Sequence, residues 1–187
     1  MGVPSLDTGP MRAEEFFAFT ATRPDDEKWE LIEGEPVLNA SASRLHQIII
    51  RNLTGLLDEQ GRRTKAPWEV LPGLGVRISD ISAPVPDVLV RPATSAGVEC
   101  DDMIIAFEVL SPSTANYDLR WKRKAYASLP SLRQYVVVAQ DAVEVVSFDR
   151  ANGFAERRFE TAEAELDLPA IGARLALSEI YRDTGLL

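Results

Sequence analysis

Two carboxylates stand where their neighbours give them no ordinary reason to be. Glu108 interrupts residues 103–110, MIIAFEVL, a run that is otherwise apolar. An ionised carboxylate inside a core is costly unless it is paired or holds a metal. Asp87 opens a second apolar run, Asp87-Val88-Leu89-Val90, directly after Val85-Pro86. If the two runs are neighbouring strands, both acids can converge at one end of a sheet. Hard cations such as Mg²⁺ are held by one or two carboxylates together with waters and substrate phosphates. That is the site a phosphodiester hydrolase needs, with Mn²⁺ as the other candidate ion. Lys122 comes next, on a predicted helix that sets Asp118 and Tyr126 at i−4 and i+4 on the same face. An ammonium group aimed at the acid pair can position an attacking water and stabilise charge growing on the phosphorus. A metal would lower the pKa of that water and polarise the phosphate.

Each of these residues also has a plainer reading. Asp87 could be a turn aspartate after proline. Lys122 could be a solvated helix lysine paired with Asp118, and Lys124 is an alternative lysine off that face. Glu30 could pair across a hairpin with a basic neighbour. His46, the sole histidine, sits near a helix start and reads as a capping or surface residue before it reads as a metal ligand. Ser111 and Ser113 lack a G-x-S-x-G context and are expected to cap the following turn. Tyr126 reads as a core contact, and Trp29, Trp68 and Trp121 as packing. Cys100 lies in an acidic stretch, residues 99–102, which does not favour a thiolate.

The elements that must position the acids follow from periodicity. Met11, Phe16 and Phe19 share one face of a short helix over 11–22. Residues 29–32 and 35–38 read as a hairpin turned by Gly34. Ser43 caps a helix whose stripe is Leu45, Ile49, Leu53, Leu56 and Leu57, with Gly61 as its expected end. Strands are expected at 68–71, 74–78, 87–90 and 103–110, the last buried on both faces. A helix over 117–128 leads to a buried strand at 134–138, then to a hairpin of 143–148 and 154–160 around Asn152-Gly153. The C-terminal LPAIGARLALSEIY is expected to pack along an edge. The sum is an α/β sandwich of the α+β kind, a mixed central sheet flanked by helices. Residues 1–10 read as a flexible N-terminal arm and 11–187 as a single domain.

Bulk properties set outer bounds. The chain of 187 residues is 45% hydrophobic, which supports a sizeable core. No apolar run approaches the roughly 20 residues that span a bilayer, and the first residues do not read as a signal peptide. One cysteine excludes a disulfide framework and a cysteine zinc site. A cytoplasmic setting is the expectation. The net charge of -9 runs against a basic DNA-binding surface. The only dense basic cluster is Arg120, Lys122, Arg123 and Lys124, with a weaker one at Arg62, Arg63 and Lys65.

The string Trp29-Glu30-Leu31-Ile32-Glu33-Gly34-Glu35, then His46, Pro86-Asp87-Val88, residues 108–114 (EVLSPST), Asp118-Leu119, Lys122-Arg123 and Tyr126 resembles the Uma-two family. That family belongs to the restriction endonuclease-like, PD-(D/E)XK superfamily. The resemblance covers about 29–148 and implies a restriction endonuclease-like core with a Mg²⁺-dependent nuclease site. By position, Asp87 matches the motif aspartate, Glu108 the motif glutamate, Lys122 the lysine and Glu30 a further acidic position. The strict motif would put the lysine at Leu110, so the resemblance implies that the role has moved to the helix. DNA is then the expected substrate, and a homodimer would suit cleavage of two strands. The alternatives are a non-catalytic binding or assembly module that keeps the fold, and a hydrolase of another phosphoester.

Overall fold

The computed structural model describes residues 9–24, 26–94, 100–110 and 117–187, with side chains in the last span from Arg120 onward. The caps expected of Ser111 and Ser113, the Asp118 side chain and most of the N-terminal arm lie outside the described residues. The element order is α1 (Ala13–Thr20), β1 (Trp29–Ile32), β2 (Glu35–Leu38), α2 (Arg44–Thr64), β3 (Trp68–Pro72), β4 (Val88–Pro92), β5 (Ile105–Leu110), α3 (Tyr117–Ala127), β6 (Gln134–Ala139), β7 (Val145–Asp149), β8 (Glu156–Phe159), β9 (Glu165–Leu168), β10 (Ala173–Ala176) and α4 (Leu177–Ile180). Strands β3 to β8 form one six-stranded sheet in sequence order. Every neighbouring pair is antiparallel except β5 and β6, which run parallel. A parallel pair needs a crossover, and α3 supplies it. The sheet is therefore mixed and flanked by helices, as expected from the sequence.

Alternation along the strands builds a core on each face. Val88, Val90, Ile105, Phe107, Val109, Val136 and Val138 pack against Ile49, Leu53 and Leu57 of α2 and against the β9–β10–α4 segment. Leu89, Ala106, Tyr135 and Val137 pack on the opposite face with Tyr126 of α3. A third cluster joins Met11, Ala13 and Phe16 to Trp29, Leu31 and Ala83, so the face expected of the first helix docks α1 on the β1–β2 hairpin. No helix among the described residues is long and apolar enough to cross a membrane.

Three boundaries differ from the sequence expectation, each for a physical reason. Gly61 does not end α2, which runs to Thr64 with Lys65 as a left-handed C-cap. A Cβ on Gly61 would come 3.0 Å from the Trp68 ring, so the glycine permits close packing of α2 on β3. The stretch 74–78 forms only an isolated bridge, Val76 with Cys100. Its facing segment contains Pro84 and Pro86, which have no N–H to continue a ladder. The C-terminal stretch does not lie along an edge. It folds as a β9–β10 hairpin and a short helix over the α2 face, and Asn52 of α2 donates to the carbonyls of Ile180 and Arg182.

Gly34 behaves as expected, at φ +87° in the hairpin turn, and a Cβ there would come 2.2 Å from the Pro10 Cβ. Gly34→Ala should therefore cost about 1–3 kcal/mol from overpacking and backbone strain together. Urea unfolding measures this, and a midpoint equal to wild type would contradict it.

Candidate active site

Strand register decides whether the two acids can meet. Val88 on β4 pairs with Phe107 on β5 in an antiparallel ladder. One step further along that register sets Asp87 opposite Glu108. Both residues alternate with side chains that face α2, so both point to the α3 face. The Asp87 Oδ2 accepts the Val109 N–H at 2.8 Å, which ties the aspartate to the strand that carries the glutamate. The acids are nearly sealed, with side-chain exposures of 4% each, and both line a cavity of about 340 Å³ with Lys28, Asn39, His46 and Lys122.

Lys122 projects from α3 into this end of the sheet. Its Nζ lies 3.1 Å from Glu108 Oε1 and 2.9 Å from Glu30 Oε1, and Tyr126, one turn on, donates its hydroxyl to Glu108 Oε1 at 2.9 Å. The i, i+4 pairing of Lys122 and Tyr126 on one face thus converges on a single carboxylate. Tyr126 is a core residue and a site residue at once. Lys124 is exposed. Of the remaining members of that basic cluster, Arg120 is exposed, and Arg123 lies over the Phe148 ring and donates to the Phe154 carbonyl. Arg62 pairs with Asp58, roughly 24 Å along the helix axis from His46 at 1.5 Å rise per residue.

Glu30 does not pair across its hairpin, where Val37 is its partner in register. It is buried behind Lys122 and does not line the cavity. Its Oε1 accepts the Val85 N–H at 2.8 Å and its Oε2 accepts from the Asn39 amide at 3.0 Å. Pro84 and Pro86 flank Val85 and have no N–H, so the glutamate takes the one donor this segment offers. Backbone bonds between Leu31 and Ala83 fasten the hairpin to the same segment. Glu30 therefore positions both Lys122 and the chain that leads into Asp87.

Two site residues were not assigned from the sequence. Ser43 caps α2 by accepting the His46 N–H, and the imidazole faces inward, with Nε2 3.3 Å from Asp87 Oδ1. The surface or capping reading of His46 is corrected: Ser43 is the cap and His46 faces Asp87. Lys28, the residue before β1, lies 2.6 Å from the same oxygen. Nothing in the local pattern marks Lys28, because its partner is 59 residues away. Cys100 is buried, and its thiol is pushed up to about 11 by burial, in line with an inert cysteine.

The electrostatics follow from burial and from who faces whom. Burial alone would raise Asp87, but the His46 hydrogen bond and the Lys28 charge outweigh it and hold the carboxyl well below its usual range. Glu30 is lowered in the same way, by Lys122 against the cost of burial. Glu108 is pushed up to about 7 by burial, with Asp87 and Glu30 adding to the rise and Lys122 opposing it. Burial would strip the proton from Lys122, yet Glu108 and Glu30 hold it above the ordinary lysine value. Lys122 is thus a donor and a fixed positive charge, not a base.

The donor set suits a hard cation. Asp87 and Glu108 present oxygens on one face, and excess negative charge already strains Glu108. Among the described residues no three His, Cys, Asp or Glu side chains form a metal-holding group. A bound ion would therefore have to complete its shell with water or substrate oxygens, which is the habit of Mg²⁺. A larger cavity of about 730 Å³ lies at the other end of the sheet, beside Gln134 and Asp167. It lacks the acid pair and the buried lysine.

The mixed sheet flanked by helices, with two acids and a lysine at one end, has a counterpart among solved structures. A solved structure from Anabaena variabilis, described as "a putative nuclease belonging to DUF820", shares the fold, with a TM-score of 0.74 and 14% identity over 92% of this chain and 98% of that one. The family model "Uma2: Putative restriction endonuclease" matches residues 13–178, and the chain belongs to that family. An "Uncharacterized protein slr1290" of Synechocystis sp. is 32% identical over 80 residues, which is 42% of each chain. The match spans less than half of that relative.

Lys122→Met should destabilise the protein by roughly 3–5 kcal/mol, because it leaves two buried acids without a counter-charge. With the lysine gone, Glu108 rises further, so folding takes up a proton. The loss should be largest above pH 7 and shrink as the pH falls and Glu108 becomes neutral. Thermal melts of both proteins between pH 5 and 8 check this, and a pH-independent difference would contradict it.

Proposed function

We propose that the protein hydrolyses DNA phosphodiester bonds at the Asp87–Glu108 end of the sheet in a Mg²⁺-dependent reaction, with Mn²⁺ as a substitute. The observation that carries this reading is the convergence of Asp87 and Glu108 on one face beside a charged, buried Lys122. Asp87 and Glu108 would hold the ion, which when bound supplies Lewis acidity and lowers the pKa of a water. Lys122 donates toward the attacking water or the phosphate oxygens and stabilises negative charge as it develops. Tyr126 keeps Glu108 oriented by donating to one of its oxygens, and Glu30 fixes Lys122 from behind. The family's description as restriction endonucleases supports nucleic acid as the substrate class.

One observation favours a second reading, a binding module that keeps the fold without turnover. Both Asp87 oxygens are already engaged, Oδ1 by Lys28 and His46 and Oδ2 by the Val109 N–H. Calorimetric titration with Mg²⁺ or Mn²⁺ separates the two, since a module without the site shows no saturable binding. For the catalytic reading, plasmid cleavage should require divalent metal and stop with chelator. Asp87→Asn and Glu108→Gln should each lower the rate by at least about 10²-fold with unchanged circular dichroism. Undiminished cleavage by either folded variant would remove the hydrolytic role.

A further inference from the structure

Lys28 differs from Lys122 in every respect that decides whether a side chain can move. Its backbone is fixed, because the Lys28 carbonyl accepts the Asn39 N–H at 2.9 Å at the base of the hairpin. Its side chain is 37% exposed, against 8% for Lys122. Lys122 stands between two buried carboxylates, whereas Lys28 has, among the described residues, one carboxylate within ion-pair distance, Asp87. An ammonium with about a third of its side chain in solvent, on a four-carbon stem, can swing from Asp87 to another anion once a second cation takes over the buried carboxylate.

The charges around the cavity say when that exchange would occur. With Glu108 ionised and the His46 imidazole neutral, Asp87, Glu108 and Glu30 are set against Lys122 and Lys28, so the acids exceed the ammonium groups by one. A divalent cation reverses the excess to one positive unit. Lys28 and the cation also want the same atom, since the Lys28 Nζ occupies Asp87 Oδ1 at 2.6 Å. Two cations competing for one oxygen in a nearly dry site repel each other, and Lys28 is the one with a route to solvent. The surplus positive unit matches the single charge of one backbone phosphate.

We propose that Lys28 is an exchangeable counter-ion: it holds Asp87 until a divalent cation takes that carboxylate, and it then receives a backbone phosphate of the bound nucleic acid. This inference rests on the metal-dependent reading of the same site. It makes Lys28 a positioning residue for substrate, and it assigns the site a built-in order, metal first and nucleic acid second.

The test is calorimetry of the full chain with Mg²⁺ alone, comparing wild type with Lys28→Met, Lys28→Gln and Lys28→Arg. Losing the competitor should tighten Mg²⁺ binding by about tenfold in the two neutral variants, and Lys28→Arg should stay near wild type. Affinity for a short DNA duplex, read by anisotropy in Ca²⁺ as a second oxygen-seeking cation, should move the other way. It should fall in the neutral variants, with the salt slope smaller by about one. A purely structural role would not tighten metal binding. Equal or weaker Mg²⁺ affinity in both neutral variants, with wild type binding normally, overturns the counter-ion role alone. Tighter Mg²⁺ with unchanged DNA affinity overturns the exchange. No saturable Mg²⁺ binding by any of the four proteins overturns the metal-dependent reading and this inference with it.

Discussion

Three carboxylates buried at one end of a sheet must be balanced, and much of the local architecture serves that balance. Taking even one charge out of water costs several kcal/mol after relaxation, so each acid here has a defined partner. Lys122 bridges Glu30 and Glu108, and Lys28 and His46 sit on Asp87. The bridge joins β1 to β5 through α3, three elements far apart in sequence. The hairpin docks where it does because Leu31 pairs with Ala83 and Glu30 accepts the Val85 N–H. The crossover helix is oriented so that Lys122 and Tyr126 both reach Glu108. Such a polar cluster is held together by full satisfaction of its members, and removing one member exposes the others to the whole desolvation cost.

The acidity of the chain has a local meaning. A protein of net charge -9 gains little from long-range attraction to a phosphate backbone, and several of its arginines are spent on internal contacts. Arg150 donates to the carbonyls of Leu132, Ala127 and Leu129, and Arg174 pairs with Asp167. If DNA is the substrate, the positive groups at the cavity are the ones placed to meet its backbone beside the acid pair. The two lysines there do different work, one fixed between acids and one at the cavity's edge.

The sheet and its flanking helices were legible because they rest on local patterns. The apolar runs of β4, β5 and β6 and the α2 stripe read directly as a core built on alternation and helical period. Glu108 was legible as an anomaly within such a run, and Asp87 as the residue after a proline-rich entry. Their opposition across β4 and β5 was not, because strand order cannot be read from either run alone. Gly61 misled because its role is contact with Trp68, a tertiary reason that mimics a helix stop. Lys28 and the inward turn of His46 were illegible for the same cause. Both depend on a partner that only the folded chain brings near, and the capping pattern at Ser43 gives no hint of where the imidazole points. Glu30 was visible as an acid in a motif, but its work behind Lys122 follows from the docking of the hairpin against Pro84 and Pro86.

The central claim is that Asp87 and Glu108 share one hard cation. The most direct measurement is the anomalous difference map of a crystal grown with Mn²⁺. The expected result is one peak about 2.1 Å from an oxygen of each acid, with the Lys28 ammonium withdrawn from Asp87. A map without a peak between the two acids, with Lys28 still on Asp87 at saturating metal, would contradict it.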